Sequence, residues 1–406
     1  MTDEPDTYIG KRVRQIRCRR GITQQVLADR IGVSRSVIAK YETGLRPVDS
    51  RRVLLALAGA LGCTLGDLTG YEQDRQDPSA AGFHLSVPDI EIALWTAGNV
   101  THTAPPRPLN ELTTAANHAA ELRIACDYAA LGPMLAPMLT DCYRHIRDGS
   151  ATDRERAWDV LSMVAHTTAA ALKARGYGAL SWTAAQEAEN ATRNIGGTAA
   201  LAATAFARSQ VLLSRPGSLP AALEHAEGTA EQIAADVHTV GEIETYGMLH
   251  LQASLVTAAM GGDPDPHLDE AAEQARRLAD APAGTSILRN PTFGPANVQL
   301  WRMSAAMERR EPGQVLALAP SLSPNDLPAE GRRAQYFVEI GRAHAMKRDY
   351  RDSLYALLRA EHTAPQHVRN MTHVRELVGH MMRTARRDLT TGELGKLARR
   401  VGVVPA

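Results

Sequence analysis

A short segment near the start of the sequence combines residue types that can contact a nucleic acid. Arg35, Ser36 and Lys40 fall on one side of a predicted helix. The other side of that helix is apolar and carries Val33, Val37, Ile38 and Tyr41. Arginine, lysine and serine side chains reach base edges and phosphate oxygens. The pattern therefore predicts a helix that is buried on one face and available to DNA on the other.

The helix with these side chains is one of five short helices predicted between Tyr8 and Leu68. Thr23 and Ser34 stand where a hydroxyl can cap the first amides of two successive helices. Ala28 is small where those two helices would cross, and Gly32 permits the sharp turn between them. These signals predict a helix-turn-helix unit.

Four sequence runs in this region resemble the phage-repressor-like helix-turn-helix family, often called the Xre family. They are T-Q-x-x-L-A at 23–28, G-V-S at 32–34, E-x-G at 42–44 and L-G-C-T-L-G-D-L at 61–68. The resemblance implies a five-helix, lambda-repressor-like domain of a transcriptional regulator. It does not extend to the residues that follow.

The resemblance also implies roles for individual side chains. Gln24 would anchor a backbone phosphate, Arg46 would meet the phosphate backbone, and Arg35 is the best candidate for a bidentate contact to guanine. Arg17 and Glu42 match a structural ion pair of the family. The full set of implied DNA-contact positions is Thr23, Gln24, Ser34, Arg35, Ser36, Lys40 and Arg46. The alternative is a solvated face of a protein-interaction domain that has lost DNA binding.

Charge and composition agree with an anionic partner at the N-terminal end. Residues 1–70 hold 12 Lys and Arg against 7 Asp and Glu, whereas the other residues hold 33 against 38. Four dispersed cysteines and the lack of a secretory or membrane-spanning pattern predict a cytoplasmic protein. The histidines show no zinc-ligand spacing, and no nucleotide-binding run follows a strand pattern. We therefore expect no enzyme activity, no cofactor and no metal.

The sequence divides into three parts and predicts an all-α fold. The helix-turn-helix domain covers residues 1–70 and a linker covers 71–109, within which Val87–Trp95 is apolar enough to dock as a short strand or helix. Residues 110–406 carry alanine- and leucine-rich helical patterns broken by Gly and Pro at helix-pair spacing. This spacing predicts a helical solenoid.

The segment Gln335–Pro365 resembles a tetratricopeptide repeat (TPR). Gly341 stands at the close-packing position of the first helix, Ser353 and Ala360 lie where the second helix packs, and Pro365 ends the unit. Weaker units are assigned by spacing to 199–235 and 246–278. The resulting TPR-like solenoid, behind this DNA-binding domain, resembles peptide-responsive bacterial regulators in architecture.

Two clusters in the repeat region could contact an effector, and each has a simpler interpretation. The candidate residues are Tyr246, His250, Phe293, Asn297, Trp301 and Arg302. The first two could equally form an ordinary helix face, and the aromatic pair at 293 and 301 could equally be core residues beside a Pro-containing loop.

These features predict a sequence-specific regulator that binds an inverted repeat as a homodimer. Residues 110–406 would form the dimer and sense a peptide, small molecule or protein that changes DNA affinity without touching the DNA-binding domain. Two alternatives stay open: an antitoxin-like protein whose repeats hold a partner protein, and a dimerisation scaffold without a ligand.

Overall fold

The computed structural model describes residues 8–69, 78–97, 99, 105–213, 215–284, 289–385 and 392–403. Every regular element in these ranges is helical, which confirms the predicted all-α fold. No helix in the described ranges is both long enough and apolar enough to cross a membrane.

Five short helices form the N-terminal domain, residues 8–69. They are α1 (Ile9–Arg19), α2 (Gln24–Ile31), α3 (Arg35–Glu42), α4 (Arg51–Leu61) and α5 (Leu65–Thr69). Val13, Leu27, Ile38 and Leu57 are fully buried where these helices meet. Gly32 ends α2 in the left-handed region, at φ +70°, and its amide donates to Ala28, which turns the chain sharply toward α3.

The segment predicted as a linker contains a long helix, α6 (Pro78–Thr96). Phe83, Ile90 and Leu94 of α6 are buried in the main core, so the apolar run does dock, as part of a helix. Gly132 lies directly against Phe83 and leaves no space there for a side chain. Helix α6 therefore belongs to the structure that follows it, which we call the helical domain (described residues 78–403).

Fifteen further helices lie in the described part of the helical domain. They are α7 (Leu109–Ile124), α8 (Tyr128–Asp148), α9 (Ala151–Ala174), α10 (Gly178–Ile195), α11 (Thr198–Leu212), α12 (Leu219–Ile233), α13 (Val240–Met260), α14 (Asp265–Arg277), α15 (Pro295–Glu308), α16 (Pro312–Leu318), α17 (Glu330–Met346), α18 (Tyr350–Thr363), α19 (Pro365–Val368), α20 (Thr372–Thr384) and α21 (Glu393–Arg400). Successive helices joined by short turns pack against each other, as in α9–α10, α11–α12, α13–α14 and α17–α18.

The predicted tetratricopeptide-like unit is the hairpin of α17 and α18. Gly341 lies against Leu357 and the carbonyl of Ser353, so a side chain at 341 would hold the two helices apart. Ser353 and Ala360 are fully buried on the facing side of α18, and Pro365 begins the next helix. The small residues at these positions are therefore explained by close helix packing.

Candidate nucleic-acid interface

Helix α3 presents the polar face that its sequence predicted. Arg35, Ser36 and Lys40 are exposed, whereas Ile38 and Tyr41 are buried in the core of the N-terminal domain. Because i and i+4 positions share a helix face, the apolar face anchors α3 while the cationic face stays in solvent. The arrangement can place two cations and a hydroxyl against the edge of a duplex.

The two predicted N-cap residues behave differently. The Thr23 hydroxyl accepts a hydrogen bond from the Val26 amide at 3.2 Å and caps α2. Ser34 occupies the N-cap position of α3 but makes no capping bond, and its Oγ instead lies 2.9 Å from the Oγ of Ser36. The prediction that Ser34 caps α3 is therefore corrected, and the amides at the start of that helix are left without a side-chain acceptor from this residue.

An ion pair stabilises the packing of the helices in the N-terminal domain. Arg17 donates to both carboxylate oxygens of Glu42, from Nε at 2.5 Å and from Nη2 at 2.9 Å, and Glu42 is only 3% exposed. The hydrogen bonds to Glu42 raise the pKa of Arg17. The pair joins α1 to the end of α3, as the resemblance implied.

Gln24, the implied phosphate anchor, joins this ion pair through its amide. Its Nε2 donates to Glu42 Oε2 at 2.8 Å, so the donor that a phosphate would need is engaged inside the protein. Arg46 is half-buried, and its guanidinium lies over the Tyr41 ring with 5.4 Å between Cζ and the ring centroid. In this arrangement the Gln24 amide joins the ion pair, and the Arg46 guanidinium packs on a buried ring of α3.

One buried carboxylate joins two parts of the N-terminal domain to the helical domain. Glu376 of α20 accepts the backbone amide of Ile9 at 3.1 Å and that of Val48 at 3.2 Å. Burial raises the pKa of Glu376, and the two amide bonds act in the opposite direction. A single side chain thus holds the start of α1 and the loop before α4.

Further contacts surround this carboxylate. Arg310 pairs with Asp49 at 2.7 Å, and Arg342 donates to the Asp49 carbonyl at 2.8 Å. The Arg383 guanidinium lies 4.3 Å from the centroid of the Tyr8 ring. The α3 face stays exposed in this docked arrangement, so the helical domain of the same chain does not cover it. Sequence patterns could not reveal these pairs because their members lie more than 260 residues apart.

The structure places most of the predicted effector residues away from any open surface. Tyr246, Phe293 and Asn297 are at most 6% exposed; the two aromatic side chains lie in a second apolar core, and Asn297 Nδ2 lies 3.3 Å from Met248 Sδ. This corrects the prediction of a ligand surface there: the simpler interpretation as core residues applies, because Gly247 lets the Phe293 ring seat on α13.

The other three predicted effector residues have separate surroundings. His250 lies against the Tyr246 ring and next to His267, and burial lowers its pKa to about 4. Arg302 pairs with Asp269 at 2.7 Å on the outer surface. Trp301 is buried and lines a cavity between the two domains, so the six residues do not form one site.

Comparison with known proteins places the N-terminal domain in a family. Residues 9–81 match the family described as a helix-turn-helix domain. The chain is 30% identical over 100 residues to the HTH-type transcriptional regulator AnsR of Bacillus subtilis, an alignment that covers 25% of this chain and 78% of AnsR. The chain belongs to the helix-turn-helix transcriptional regulators.

Two further similarities are more limited. The propionyl-CoA carboxylase regulator of Cereibacter sphaeroides is 40% identical over 68 residues, which is 17% of this chain and 14% of that regulator. The structure of Bacillus thuringiensis PlcR in complex with the peptide PapR7 and DNA aligns with 85% of this chain and 99% of its own, at 11% identity and a TM-score of 0.30.

Proposed function

We propose that this regulator binds an inverted-repeat operator as a homodimer and that an effector bound by the helical domain sets its DNA affinity. The observation that carries the proposal is the exposed face of α3, where Arg35, Ser36 and Lys40 point to solvent on a helix anchored from behind. A domain of this size gains affinity and specificity when two copies bind adjacent half-sites.

Selection of binding sites from a random duplex pool tests this function. The full chain should enrich an inverted repeat whose half-site centres are separated by about 10–10.5 base pairs or a multiple of that distance. Enrichment of a single half-site, or of no sequence, would contradict binding of an inverted repeat by a homodimer. The same selection with Arg35→Ala should lose preference at one base in each half-site, because a bidentate arginine contact reads one guanine.

The exposed face of α6 supports the dimer but places its contact before residue 110, outside the residues 110–406 to which the sequence assigned it. Leu85, Ile92 and Trp95 are 79%, 55% and 69% exposed, and their spacing places them near one side of the helix. Helix α6 comes directly before the rest of the helical domain and after the DNA-binding domain. Pairing of two α6 helices would bury this apolar surface and would hold two α3 helices in one particle.

Light scattering on the full chain tests the dimer contact. Ile92→Glu should convert a dimer into a monomer because it places a charge in an apolar contact. Tyr355→Glu is a matched control, since Tyr355 is an aromatic residue 65% exposed on α18. If the wild-type chain were a monomer, the proposed dimer would be wrong. If Tyr355→Glu abolished the dimer and Ile92→Glu did not, the contact would lie away from α6.

A further inference from the structure

A partly open cavity of about 490 Å³ lies between the two domains. Its wall is formed by Asp49 and Ser50 of the loop before α4, by Arg51 at the start of α4, and by residues of α7, α9, α11, α13, α15, α17, α19 and α20. Sites for small organic ligands commonly have volumes of roughly 300–1,000 Å³. The cavity is therefore large enough for a metabolite.

The charges that line this cavity do not balance. Five cationic side chains reach it: Arg51, Arg123, Lys173, Arg332 and Arg342. Three carboxylates reach it, from Asp49, Glu308 and Glu339. The wall thus carries an excess of positive charge in a chain whose formal net charge is zero.

Each of the three carboxylates is already engaged. Asp49 pairs with Arg310 outside the cavity at 2.7 Å. Glu339 pairs with Arg342 at 2.8 Å, and Glu308 lies 3.9 Å from Arg51. Cationic side chains therefore outnumber the acids available to them.

Three cations, Arg123, Lys173 and Arg332, are left without a carboxylate among the described residues. Lys173 donates to the neutral Gln210 amide, and Arg332 lies over the Trp301 ring at 5.2 Å. Burial together with the neighbouring arginines lowers the pKa of Lys173 to about 7 and that of Arg332 to about 10. Such a cluster is costly without an anion and is stabilised by one.

Several hydrogen-bond donors of the wall lack acceptors. Trp301, which is 3% exposed, has no partner for its Nε1, and Arg123 and Arg342 each have no partner for Nε. Buried donors are rarely left unsatisfied in native proteins, because a donor removed from water without a partner destabilises the fold. An acceptor group inside the cavity could satisfy these three donors.

We propose that this cavity binds a small organic anion, through a carboxylate or phosphate group held by Arg123, Lys173 and Arg332. The Trp301 indole donates to the same group or to a neighbouring oxygen. Phe206, Leu54 and Leu255 line other parts of the wall and contact the uncharged part of the ligand. The ligand is thus an organic acid or phosphate ester with an apolar portion.

The position of the site also indicates how ligand binding affects the DNA-binding domain. Asp49 and Ser50 belong to the loop that Glu376 and Arg342 hold, and Arg51 begins the helix that follows this loop. An anion that attracts Arg51 and Arg342 changes the contacts at this docking surface, so the effector touches the DNA-binding domain directly, in contrast to the prediction from the sequence. This consequence rests on the proposed function, whereas anion binding itself does not.

Thermal unfolding of the full chain without DNA tests the binding step. Sodium phosphate and sodium citrate are the probes, and sodium chloride at equal ionic strength is the reference. We expect one probe to raise Tm by at least about 2 °C beyond the chloride effect. A phosphate response alone assigns a phosphate ester, and a citrate response alone assigns a carboxylate; no response to either probe overturns the site.

Variants connect the response to the cavity. Arg332→Met should raise the Tm of the protein without added anion, since it removes an unpaired buried cation, and should weaken the probe response at least tenfold in half-saturating concentration. Arg332→Gln is a second variant of similar shape, and Arg193→Met, with a side chain 71% exposed on α10, is the control. An unchanged probe response in both Arg332 variants would overturn the assignment.

Trp301 provides an independent signal. Its emission should change when the responding probe is added to the wild-type chain, and the change should be absent in Trp301→Phe. Equal changes in both proteins would contradict an anion beside the indole. Arg35→Ala should keep the full probe response, so failure of the anion site and failure of DNA recognition are separate results.

Discussion

Arg35 is the residue on which sequence recognition depends most directly. Arg35→Ala should weaken operator binding by about 1–3 kcal/mol and relax the preference at one base position. The reason is that a bidentate guanidinium contact cannot be replaced by a methyl group. Fluorescence anisotropy with the selected operator and with single-base variants measures both effects.

Arg193→Ala provides the comparison for this measurement, because Arg193 is an exposed arginine far from α3 in the sequence. It removes one positive charge without removing a base contact. If both variants weakened binding equally at every base, the effect would be one of charge alone, and α3 would not be the reading helix.

The Arg17–Glu42 pair should matter for stability more than for base preference. Glu42→Ala removes the acceptor of both Arg17 and Gln24 and leaves a largely buried guanidinium unpaired, so the free energy of unfolding should fall by about 2–3 kcal/mol. Urea unfolding measures this change. Glu273→Ala, which breaks an exposed pair with Arg276, should cost clearly less; an equal loss would argue against a structural brace.

At the scale of elements, the docking of the N-terminal domain depends on α20. Glu376→Ala removes the acceptor of two backbone amides, and burial would leave those amides without partners. We expect faster hydrogen exchange at Ile9 and Val48, which mass spectrometry of the full chain detects. Exchange within α17 and α18 should stay unchanged.

Glu111→Ala is the control for this prediction, since Glu111 is an exposed carboxylate on α7. If the Ile9 and Val48 amides stayed protected from hydrogen exchange in Glu376→Ala, the Asp49 and Tyr8 contacts would suffice for docking. A change caused equally by Glu111→Ala would show a general loss of stability instead of a local release.

At the scale of the whole molecule, the buried histidines predict an acid-sensitive fold. Burial and the nearby Arg123 lower the pKa of His166 to about 4, and burial with nearby cations does the same for His367. Between about pH 6.5 and pH 4 the unfolded chain therefore binds more protons than the folded one, so stability is present above that window and is lost as the pH falls through it.

The measurement compares unfolding at about pH 7 and about pH 5 for the wild type and for His166→Gln. The variant should lose less stability on acidification, by about 1–2 kcal/mol. His118→Gln alters an exposed histidine and should follow the wild type. If His166→Gln lost as much stability between the two pH values as the wild type does, His166 would not stay neutral in the folded state.

The sequence by itself determined the DNA-binding domain, because its signals are local. The Thr23 cap, the Gly32 turn and the alternation of buried Ile38 with exposed Arg35 all lie between residues 23 and 38. The same holds for the α17–α18 hairpin, where Gly341 is close to its partner Leu357 along the chain. Short-range periodicity and capping carry this information directly.

Only the tertiary structure decided which polar residues of the helical domain meet. Lys173 and Arg332 are single cations on separate helices, and nothing in their local sequence distinguishes them from solvated residues. Packing of the helices brings them to one cavity, where Lys173 lies near Arg51 and Arg332, each more than 100 residues from it along the chain. It likewise buries Phe293 and Asn297, which looked suited to a ligand, because packing depends on helices whose relative positions no local pattern specifies.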